Sequence, residues 1–346
     1  MTERLHTLQI SPHGRTLQAS PARSILDAAL HAGLNLPHSC KSGHCASCRA
    51  RLISGRIRYP HGRPLGLSAV EESQGFILTC QAQPLTDVAI EARLIARVGE
   101  AEIKTLPCRI ASTHPLAPDV LQVMLRLPAV ETLAFLPGQY LDVLLEDGSR
   151  RSFSIASPPH DAGLLELHVR RAPGGRFTER LFAAPAAGAL LRIEGPLGSF
   201  IYSESARPAI LIAGGTGFAP LKSMLRQALE RGSSRELHVY WGARTPVDLY
   251  ESALLEEWTR RHPRLRYTPV LSAAEGDAGA GPDAVPYRRG WVHEAVLQDH
   301  ASLERHEVYA AGPPAMIEAI RASFPVRGLA SDALNFDSFD YAQSAG

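Results

Sequence analysis

Four of the five cysteines in this 346-residue sequence have a spacing that suits a metal cluster. Cys40, Cys45 and Cys48 follow the pattern C-x4-C-x2-C, and Cys80 comes after an intervening helix-like segment. This spacing is typical of the thiolate ligands of a [2Fe–2S] cluster. A loop that carries three such thiolates must curl around the cluster, and small residues permit this. The loop contains three: Gly43, Ala46 and Ser47.

Two other uses of these cysteines are less favoured. Cys45 and Cys48 would also fit half of a zinc ribbon, but no second CxxC and no suitably spaced His pair follows. A disulfide would need an exported chain, and the first residues lack the apolar core of a signal peptide. We therefore expect a cluster, and we expect Cys108 to be a small buried apolar residue.

Two further groups of residues have the chemistry of nucleotide binding. The segment with Arg151, Phe153 and Ser154 offers a cation for a pyrophosphate, a flat ring for a flavin and a hydroxyl for a ring nitrogen. Gly175 lies just before a predicted helix that begins at Thr178, where free backbone N–H groups bind phosphate well. Each signal is weak when taken alone.

A third group lies further along the chain. The apolar strand Ala209–Ala213 leads into the glycine-rich turn Gly214–Pro220 and then into a helix expected over Leu221–Arg231. A buried parallel strand that ends in glycines before a helix is suited to a nucleotide phosphate, although this turn lacks the GxGxxG pattern. A second turn of this kind, Gly312–Met316, follows a later strand.

The elements that must position these residues form three successive patterns. Up to about residue 95 the order is hairpin, helix, cysteine loop, strand over Arg49–Ile57, short helix and closing strand. Between about 98 and 203, short strands punctuated by Pro and Gly predict an antiparallel barrel or sandwich. Beyond 204, strands alternate with helices, which predicts a doubly wound parallel sheet with its ligands at the C-terminal ends of the strands.

The cysteine loop and its surrounding elements resemble plant-type ferredoxins, and the rest of the chain resembles the ferredoxin reductase superfamily. The resemblance implies a multidomain protein with a β-grasp ferredoxin domain (1–96), an antiparallel β-barrel FAD domain (98–203), an α/β doubly wound nicotinamide domain (204–333) and a C-terminal tail (334–346). It makes the four cysteines iron ligands. The flavin motif Arg-x-aromatic-Ser falls on Arg151, Phe153 and Ser154, and the phosphate motif Gly-x-x-Ser/Thr falls on Gly175 and Thr178.

The same resemblance implies an electron path from NADH through FAD and the cluster to a partner. Ser154 would lie near the flavin N5, and Thr216 would orient the nicotinamide carboxamide. These two are the residues expected to act in hydride transfer. The further residues implied in cofactor binding are His168, Val169, Arg176, Phe177, Gly214, Gly215, Gly217, Gly312, Pro313 and Phe339.

Four features of the chain modify what the resemblance implies. Phe153 replaces the commoner Tyr and keeps the stacking ring, and Ala311 replaces a Cys that many relatives have before the second glycine turn. Ser272 is followed by Ala273 instead of Arg, so the 2′-phosphate of NADPH lacks a cation and NADH is favoured. Three arginines remain as substitutes: Arg244, Arg288 and Arg289. For the C-terminal aromatic that would cover the flavin, both Phe339 and Phe336 are candidates, and a tail that packs elsewhere on the surface is an alternative.

Composition limits the class of protein. The net charge of +1 gives no sign of nucleic-acid binding. The sequence contains no run of about 18 apolar residues, the length that would predict a membrane span. We therefore expect a cytoplasmic protein. The segment 28–70 carries six Lys and Arg residues and no acidic ones. This charge suits an acidic partner, a solvated face or contacts to the chain's own flavin domain.

The expected partner is a protein electron acceptor, and the oligomeric state is not predicted. The whole chain resembles reductase components of oxygenases and, equally, reductases of the CDP-6-deoxy-Δ3,4-glucoseen type from deoxysugar biosynthesis. Two alternatives remain open: a free-standing NAD(P)H:flavin reductase, and a redox-sensing protein that holds its cofactors without turnover.

Overall fold

The chain folds into two compact units. The computed structural model describes residues 4–39, 41, 43, 46–94, 102–161, 163–172, 174–183, 187–273 and 286–339. The first unit consists of the described residues up to 94 together with Gly198–Phe200, and the second contains the remaining described residues.

The first unit is built on a five-stranded mixed sheet in the order β2-β1-β7-β3-β5, in which only β1 and β7 pair in parallel. Its elements are β1 (His6–Ser11), β2 (Arg15–Ala19), α1 (Ile25–His31), β3 (Arg49–Ser54), β4 (Ile57–Arg58), α2 (Ala69–Ser73), β5 (Phe76–Leu78), β6 (Gln83–Pro84) and β7 (Val88–Glu91). Ser24 caps α1 by accepting a hydrogen bond from the backbone of Asp27. One face of α1 packs into the core beneath the sheet, and this arrangement is the expected β-grasp.

The second unit begins with an antiparallel barrel in the strand order β11-β10-β13-β8-β9-β12. Its elements are β8 (Lys104–Ala117), β9 (Val120–Arg126), β10 (Tyr140–Leu144), β11 (Arg150–Ser154), β12 (Leu164–Arg170), α3 (Arg176–Ala183) and β13 (Leu190–Leu197). A single bridge between Ile155, just after β11, and Leu167 on β12 joins the two ends of the sheet. The barrel is filled by the apolar side chains that alternate along its strands.

The remainder of the second unit is a six-stranded parallel sheet in the order β17-β16-β15-β14-β18-β19. Its elements are β14 (Ala209–Gly214), α4 (Phe218–Glu230), β15 (Leu237–Ala243), α5 (Ser252–Arg261), β16 (Leu265–Leu271), β17 (Arg288–Arg289), α6 (Val292–Asp299), β18 (Glu307–Gly312), α7 (Pro314–Ser323) and β19 (Leu334–Ser338). The expected doubly wound sheet is therefore present. Among the described residues, no helix has the length and apolar character needed to cross a membrane.

Several element boundaries differ from the sequence-based expectations. Helix α3, expected from Thr178, begins at Arg176. The strand expected over 49–57 ends at Ser54, because Gly55 has φ +92° and a Cβ there would lie 2.2 Å from the carbonyl oxygen of Asp87. Helix α4 starts at Phe218 instead of Leu221, since Pro220 is tolerated in a first helical turn. Leu334–Ser338, expected as part of a tail, pairs with β18 as the edge strand of the sheet.

Candidate functional site

The described cysteines of the predicted cluster lie side by side in the first unit. Cys48 directly precedes β3, and Cys80 follows β5, which pairs with β3. The carbonyl oxygen of Cys48 accepts hydrogen bonds from the backbone (3.1 Å) and the hydroxyl (3.0 Å) of Thr79. Both cysteines are more than 90 % buried. Cys40 and Cys45 lie outside the described residues.

The loop around these cysteines is tightly curled. Lys41 and Ala46 have φ values of +53° and +58°, a left-handed conformation that is costly for residues with a Cβ. At Gly43 a Cβ would lie 2.9 Å from both Pro64 and Gln81, so only glycine fits. The side-chain amide of Gln81 donates to the carbonyl of Lys41 (2.8 Å). This curled backbone fits a loop that wraps around a cluster.

A contact that the sequence did not indicate holds the segment before Cys40. The hydroxyl of Ser199 donates to the carbonyl of His38 (2.8 Å) and accepts from its backbone N–H (3.0 Å). His38 is buried, and this burial lowers its pKa to about 4. Its Nδ1 lies 2.8 Å from the carbonyl of Leu36, so Nδ1 carries the proton and the ring is neutral.

The three flavin-motif residues lie on β11, which pairs with β10 along its whole length. Phe153 is half-buried, and its ring lies 5.9 Å from that of Phe177. The hydroxyl of Ser154 is buried and has no hydrogen-bond partner among the described residues. A buried hydroxyl without a partner is uncommon in folded proteins, and a flavin ring nitrogen would supply one. Arg151 lies on the same strand and is half-buried.

The two residues of the predicted phosphate motif contact each other, and the helix that was expected to begin at Thr178 begins at Arg176. The hydroxyl of Thr178, in the first turn of α3, donates to the carbonyl of Gly175 (3.0 Å) and accepts from the backbone of Ala172 (3.2 Å). A Cβ at Gly175 would lie 2.8 Å from that hydroxyl. The first backbone N–H groups of α3 have no partner within the helix and fit a phosphate. Arg176 begins this helix with its side chain 89 % exposed.

His168 and Val169 lie on β12 with both side chains buried. The His168 ring lies 3.1 Å from a carboxylate oxygen of Glu166 and 3.0 Å from the hydroxyl of Tyr250. Since its side chain is engaged inside the protein, a contact of His168 with the flavin would have to come from the backbone of β12. The cofactor-binding role expected of His168 and Val169 stays a prediction.

The two glycine turns of the parallel sheet pack backbone against backbone. A Cβ at Gly217 would lie 1.9 Å from the carbonyl oxygen of Ala311, and one at Gly312 would lie 3.0 Å from Gly214. At Gly214 a Cβ would also meet Pro313 at 2.7 Å. Gly215 has φ +53°, and Thr216 beside it is half-buried. The two turns thus lie against each other at the C-terminal ends of β14 and β18, where the ligands of a doubly wound sheet are expected.

The two aromatic candidates near the C-terminus have different surroundings. Phe336, on β19, packs against the core of the sheet, and the guanidinium of Arg321 lies 5.6 Å from its ring centre. Phe339 follows the strand, and its backbone N–H donates to the carbonyl of Gly312 (3.0 Å). Of the two candidates, Phe339 is therefore the one whose backbone contacts the turn Gly312–Met316. Tyr341 and the loop 274–285 lie outside the described residues.

The arginines considered as partners of a 2′-phosphate are placed as follows. Arg288 is engaged by Asp299 (2.5 Å) and by the carbonyl of Ala295. Arg289 is exposed at the edge strand β17, and Arg244 is exposed just after β15. Ser272 donates its hydroxyl to the carbonyl of Ala243 (3.3 Å). Ala273, which takes the place of the arginine that a 2′-phosphate would need, is exposed.

These features define a flavoprotein in which a ferredoxin unit is joined to flavin and nicotinamide modules. Three family models match successive parts of the chain. They describe a 2Fe-2S iron-sulfur cluster binding domain at 8–85, an oxidoreductase FAD-binding domain at 107–202 and an oxidoreductase NAD-binding domain at 211–322.

Similar proteins match over almost the whole chain. The CDP-6-deoxy-L-threo-D-glycero-4-hexulose-3-dehydrase reductase of Yersinia pestis is 37 % identical over 332 residues, which is 96 % of this chain and 98 % of the relative. Reductase component 2 of terephthalate 1,2-dioxygenase from Comamonas sp. is 34 % identical, over 96 % of this chain and 97 % of the relative. The crystal structure of the Amycolatopsis cytochrome P450 reductase GcoB is 34 % identical, with a TM-score of 0.78, over 98 % of this chain and 100 % of that one.

The chain belongs to the family of iron–sulfur flavoprotein reductases that combine [2Fe–2S], FAD-binding and NAD-binding domains. It is an NADH-dependent oxidoreductase that passes electrons through FAD and a [2Fe–2S] cluster to a partner. The predicted fold class and set of cofactors are confirmed. The domain boundaries and the roles of individual residues stay predictions.

Proposed function

We propose that this chain is the reductase component of a multicomponent enzyme system and that its acceptor is an oxygenase or a deoxysugar dehydrase component. One observation carries the proposal: relatives that match 96 % of the chain are reductase components of both kinds. All three cofactor modules lie in one chain, so what the system still needs is a separate protein that receives the electrons.

In this proposal the four cysteines Cys40, Cys45, Cys48 and Cys80 hold the cluster. The buried contact between Thr79 and Cys48 and the left-handed residues of the loop support it, because they preshape the backbone before iron binds. The protein's contribution is to hold the thiolates close together and away from water, which favours cluster binding over oxidation.

The flavin is proposed to lie along β11 and the start of α3. Arg151 and the N-terminus of α3 would bind the pyrophosphate of FAD. Phe153 would stack on the flavin ring. The hydroxyl of Ser154 would donate to a ring nitrogen. When bound, FAD accepts a hydride from NADH and passes the electrons on one at a time, which lets a two-electron donor feed a one-electron cluster.

The nicotinamide nucleotide is proposed to bind across the two glycine turns. The absence of side chains at Gly214, Gly215 and Gly217 would let the protein backbone approach the nucleotide closely. Thr216 would orient the carboxamide, and Gly312 and Pro313 would flank the nicotinamide ring. Phe339 is proposed to cover the flavin until the nicotinamide displaces it. No side chain is required as an acid or base, so alignment is the main contribution of the protein.

The test is an anaerobic titration of the purified protein with NADH and, in parallel, with NADPH. Flavin bleaching and the visible and EPR signals of the cluster report each centre separately. We expect NADH to reduce both centres much faster than NADPH, and the reduced protein to transfer electrons to an oxygenase or hexulose-dehydrase component added afterwards. If the flavin bleaches while the cluster stays oxidised, the flavin reductase or sensor alternative replaces this proposal.

A further inference from the structure

A cluster of buried charged side chains lies in the second unit between β12 of the barrel and the parallel-sheet module. Its centre is Lys222 on α4, whose side chain is 6 % exposed. The ammonium of Lys222 lies 2.9 Å from Glu166 Oε1, on β12, and 2.5 Å from Glu251 Oε1, just before α5. The same oxygen of Glu166 accepts from Gln122 (2.5 Å) and lies 3.1 Å from Nε2 of His168. We call these residues the Lys222 cluster: Gln122, Glu166, His168, Lys222, Tyr250 and Glu251.

The protons of the cluster can be assigned from its hydrogen bonds. Burial alone would raise the pKa of Glu166, but the hydrogen bond from His168 and the charge of Lys222 outweigh it and lower this pKa. Glu166 is therefore a carboxylate that can only accept, so His168 donates from Nε2. The other ring nitrogen, Nδ1, lies 3.0 Å from the hydroxyl of Tyr250, whose pKa burial raises well above its usual value.

The cluster also has the donor set of a metal site. One ligand atom each from Glu166, His168 and Glu251 lie within 4.8 Å of one another. The ammonium of Lys222 contacts both carboxylates, however, so it already provides the positive charge that a metal ion would bring. The arrangement is therefore an ion cluster that ties two modules together.

Aromatic side chains connect the cluster to the nicotinamide turn. Tyr250 packs edge-on against Trp241, with ring centres 5.0 Å apart. The indole N–H of Trp241 donates to the carbonyl of Gly215 (3.0 Å), inside the turn, and its ring stacks on Phe218 at 4.1 Å. Phe218 begins α4, one helical turn before Lys222. A shift of the cluster would therefore move the turn relative to β12.

We propose that Lys222 is a positioning residue that holds the nicotinamide turn in register with β12, the strand that carries the predicted cofactor-binding residues His168 and Val169. This inference rests on the proposed function, because it concerns the alignment of NADH with FAD. The step moves one hydride, two electrons with one hydrogen nucleus, from NADH to bound FAD and leaves NAD⁺. Lys222 gains and loses no atom in it. Its effect is on the relative placement of two modules that bind the two reactants.

The test compares Lys222→Met with Lys222→Arg and with a matched control in the full-length protein. Methionine keeps much of the side-chain length but removes the charge, and arginine restores the charge. The control is Arg235→Met, which breaks another buried ion pair of the same module, Arg235–Glu307 (2.7 Å). That pair lies at the N-terminal ends of β15 and β18, whereas the glycine turns lie at the C-terminal ends of the strands.

The first readout is anaerobic stopped-flow bleaching of the flavin by NADH. We expect Lys222→Met to retain its flavin and to lower the limiting rate on the order of 10- to 100-fold, with a smaller change in the NADH concentration needed for half the limiting rate. Lys222→Arg should recover most of the rate. Arg235→Met should lower the melting temperature and leave the limiting rate unchanged.

The second readout does not depend on activity. Hydrogen exchange of the oxidised protein should increase in Lys222→Met within β12, the turn 214–217 and residues 249–252, and Arg235→Met should spare these segments. If Lys222→Met fails to fold, Glu251→Gln takes its place in the test, since it removes one charge of the cluster with little change of shape. We expect it to lower the limiting rate of flavin bleaching by less than the factor given for Lys222→Met. The inference is overturned if the limiting rate stays at the wild-type value, or if Lys222→Met and Arg235→Met lower it equally. Flavin bleaching is measured before any electron reaches a partner protein. If the reduced protein failed to transfer electrons to an oxygenase or hexulose-dehydrase component, the comparison of bleaching rates would therefore still test the role of Lys222.

Discussion

Of the five cysteines in the sequence, four have a proposed ligand role and one has none. We expect Cys48→Ser to abolish the cluster, because a serine oxygen is a poor substitute for a thiolate, and to leave FAD bound. Iron content, the visible spectrum and the EPR signal measure the first effect, and flavin content measures the second. Loss of both cofactors would contradict the separation of the cluster and flavin sites.

Cys108 is the matched control for that substitution. It is a buried thiol of the barrel, and burial raises its pKa to about 11, so it is an apolar neutral group at physiological pH. Cys108→Ser should cost about 1 kcal/mol of stability, because it buries a hydroxyl, and should keep the full iron content.

The buried hydroxyl of Ser154 leads to a second prediction at this scale. Ser154→Ala should keep FAD bound but slow its reduction by NADH about 10-fold, equivalent to roughly 1.4 kcal/mol for one lost hydrogen bond. Stopped-flow flavin bleaching measures this rate. Ser152→Ala on the same strand is the control, since that hydroxyl is already engaged by Asp142 (2.6 Å). Equal rates in the wild type and Ser154→Ala would remove Ser154 from the flavin site.

Residues near each other in the sequence could be predicted as parts of one site before the structure was known, and distant partners could not. The cysteines, Ser154 and the glycine turns carry their chemistry in short motifs. Lys222 is 56 residues from Glu166 and 29 from Glu251, and a single lysine on a helix is ordinarily exposed to solvent. Its role became visible only because α4 is buried on nearly all sides.

At the scale of elements, the close approach of the two glycine turns determines what can replace them. In Gly217→Ala the new Cβ would meet the Ala311 carbonyl, so the turns must separate. We expect the rate of reduction by NADH to fall at least about 100-fold, while dithionite still reduces both centres. Gly163→Ala, where nothing lies within 4 Å of the added carbon, should match the wild type. Normal NADH reduction in Gly217→Ala would place the nucleotide elsewhere.

The parallel sheet also carries a group that makes its stability depend on pH. Burial, followed by the charge of His300, lowers the pKa of His238 from 6.5 to about 4. Between these values the unfolded chain binds more protons than the folded one, so the free energy of unfolding decreases as pH falls from 6.5 to 4, by up to about 3 kcal/mol.

We therefore expect His238→Gln to lose less stability than the wild type between pH 7.5 and 4.5. Denaturant unfolding followed by tryptophan fluorescence measures this. All three tryptophans, Trp241, Trp258 and Trp291, belong to the second unit, so the signal reports that unit alone. Identical pH dependence in both proteins would mean that His238 is protonated as readily in the folded state as in the unfolded one.

Element order was predictable from the sequence because periodicity and turn residues encode it locally. The end of β3 at Gly55 and the pairing of β19 with β18 were not, since both depend on a neighbouring segment: the backbone at Asp87 and the edge of β18. The acidic and aromatic composition of residues 335–341 suggested a tail, but the register of Leu334–Ser338 against β18 makes this part a strand.

At the scale of the whole molecule, the basic segment 28–70 is less charged than its sequence suggests. Arg49 pairs with Glu71, and Arg63 lies 3.5 Å from Glu72, both just beyond the segment. Exposed ion pairs contribute little to stability, but they reduce the net positive charge that an acidic partner would meet. Arg51 and Arg56 remain exposed in the first unit for such a role.

The order of the modules predicts which activities require the first unit. A chain that starts at residue 97 should still reduce ferricyanide with NADH, since that needs only the flavin and nicotinamide modules, and should lose most of its one-electron transfer to cytochrome c. Full-length Cys48→Ser is the matched control, because it lacks the cluster but keeps the first unit, and it should behave in the same way. If the shortened chain kept full activity toward both acceptors and toward free flavin, electrons would leave at the flavin, and the chain would be a flavin reductase with a dispensable ferredoxin unit.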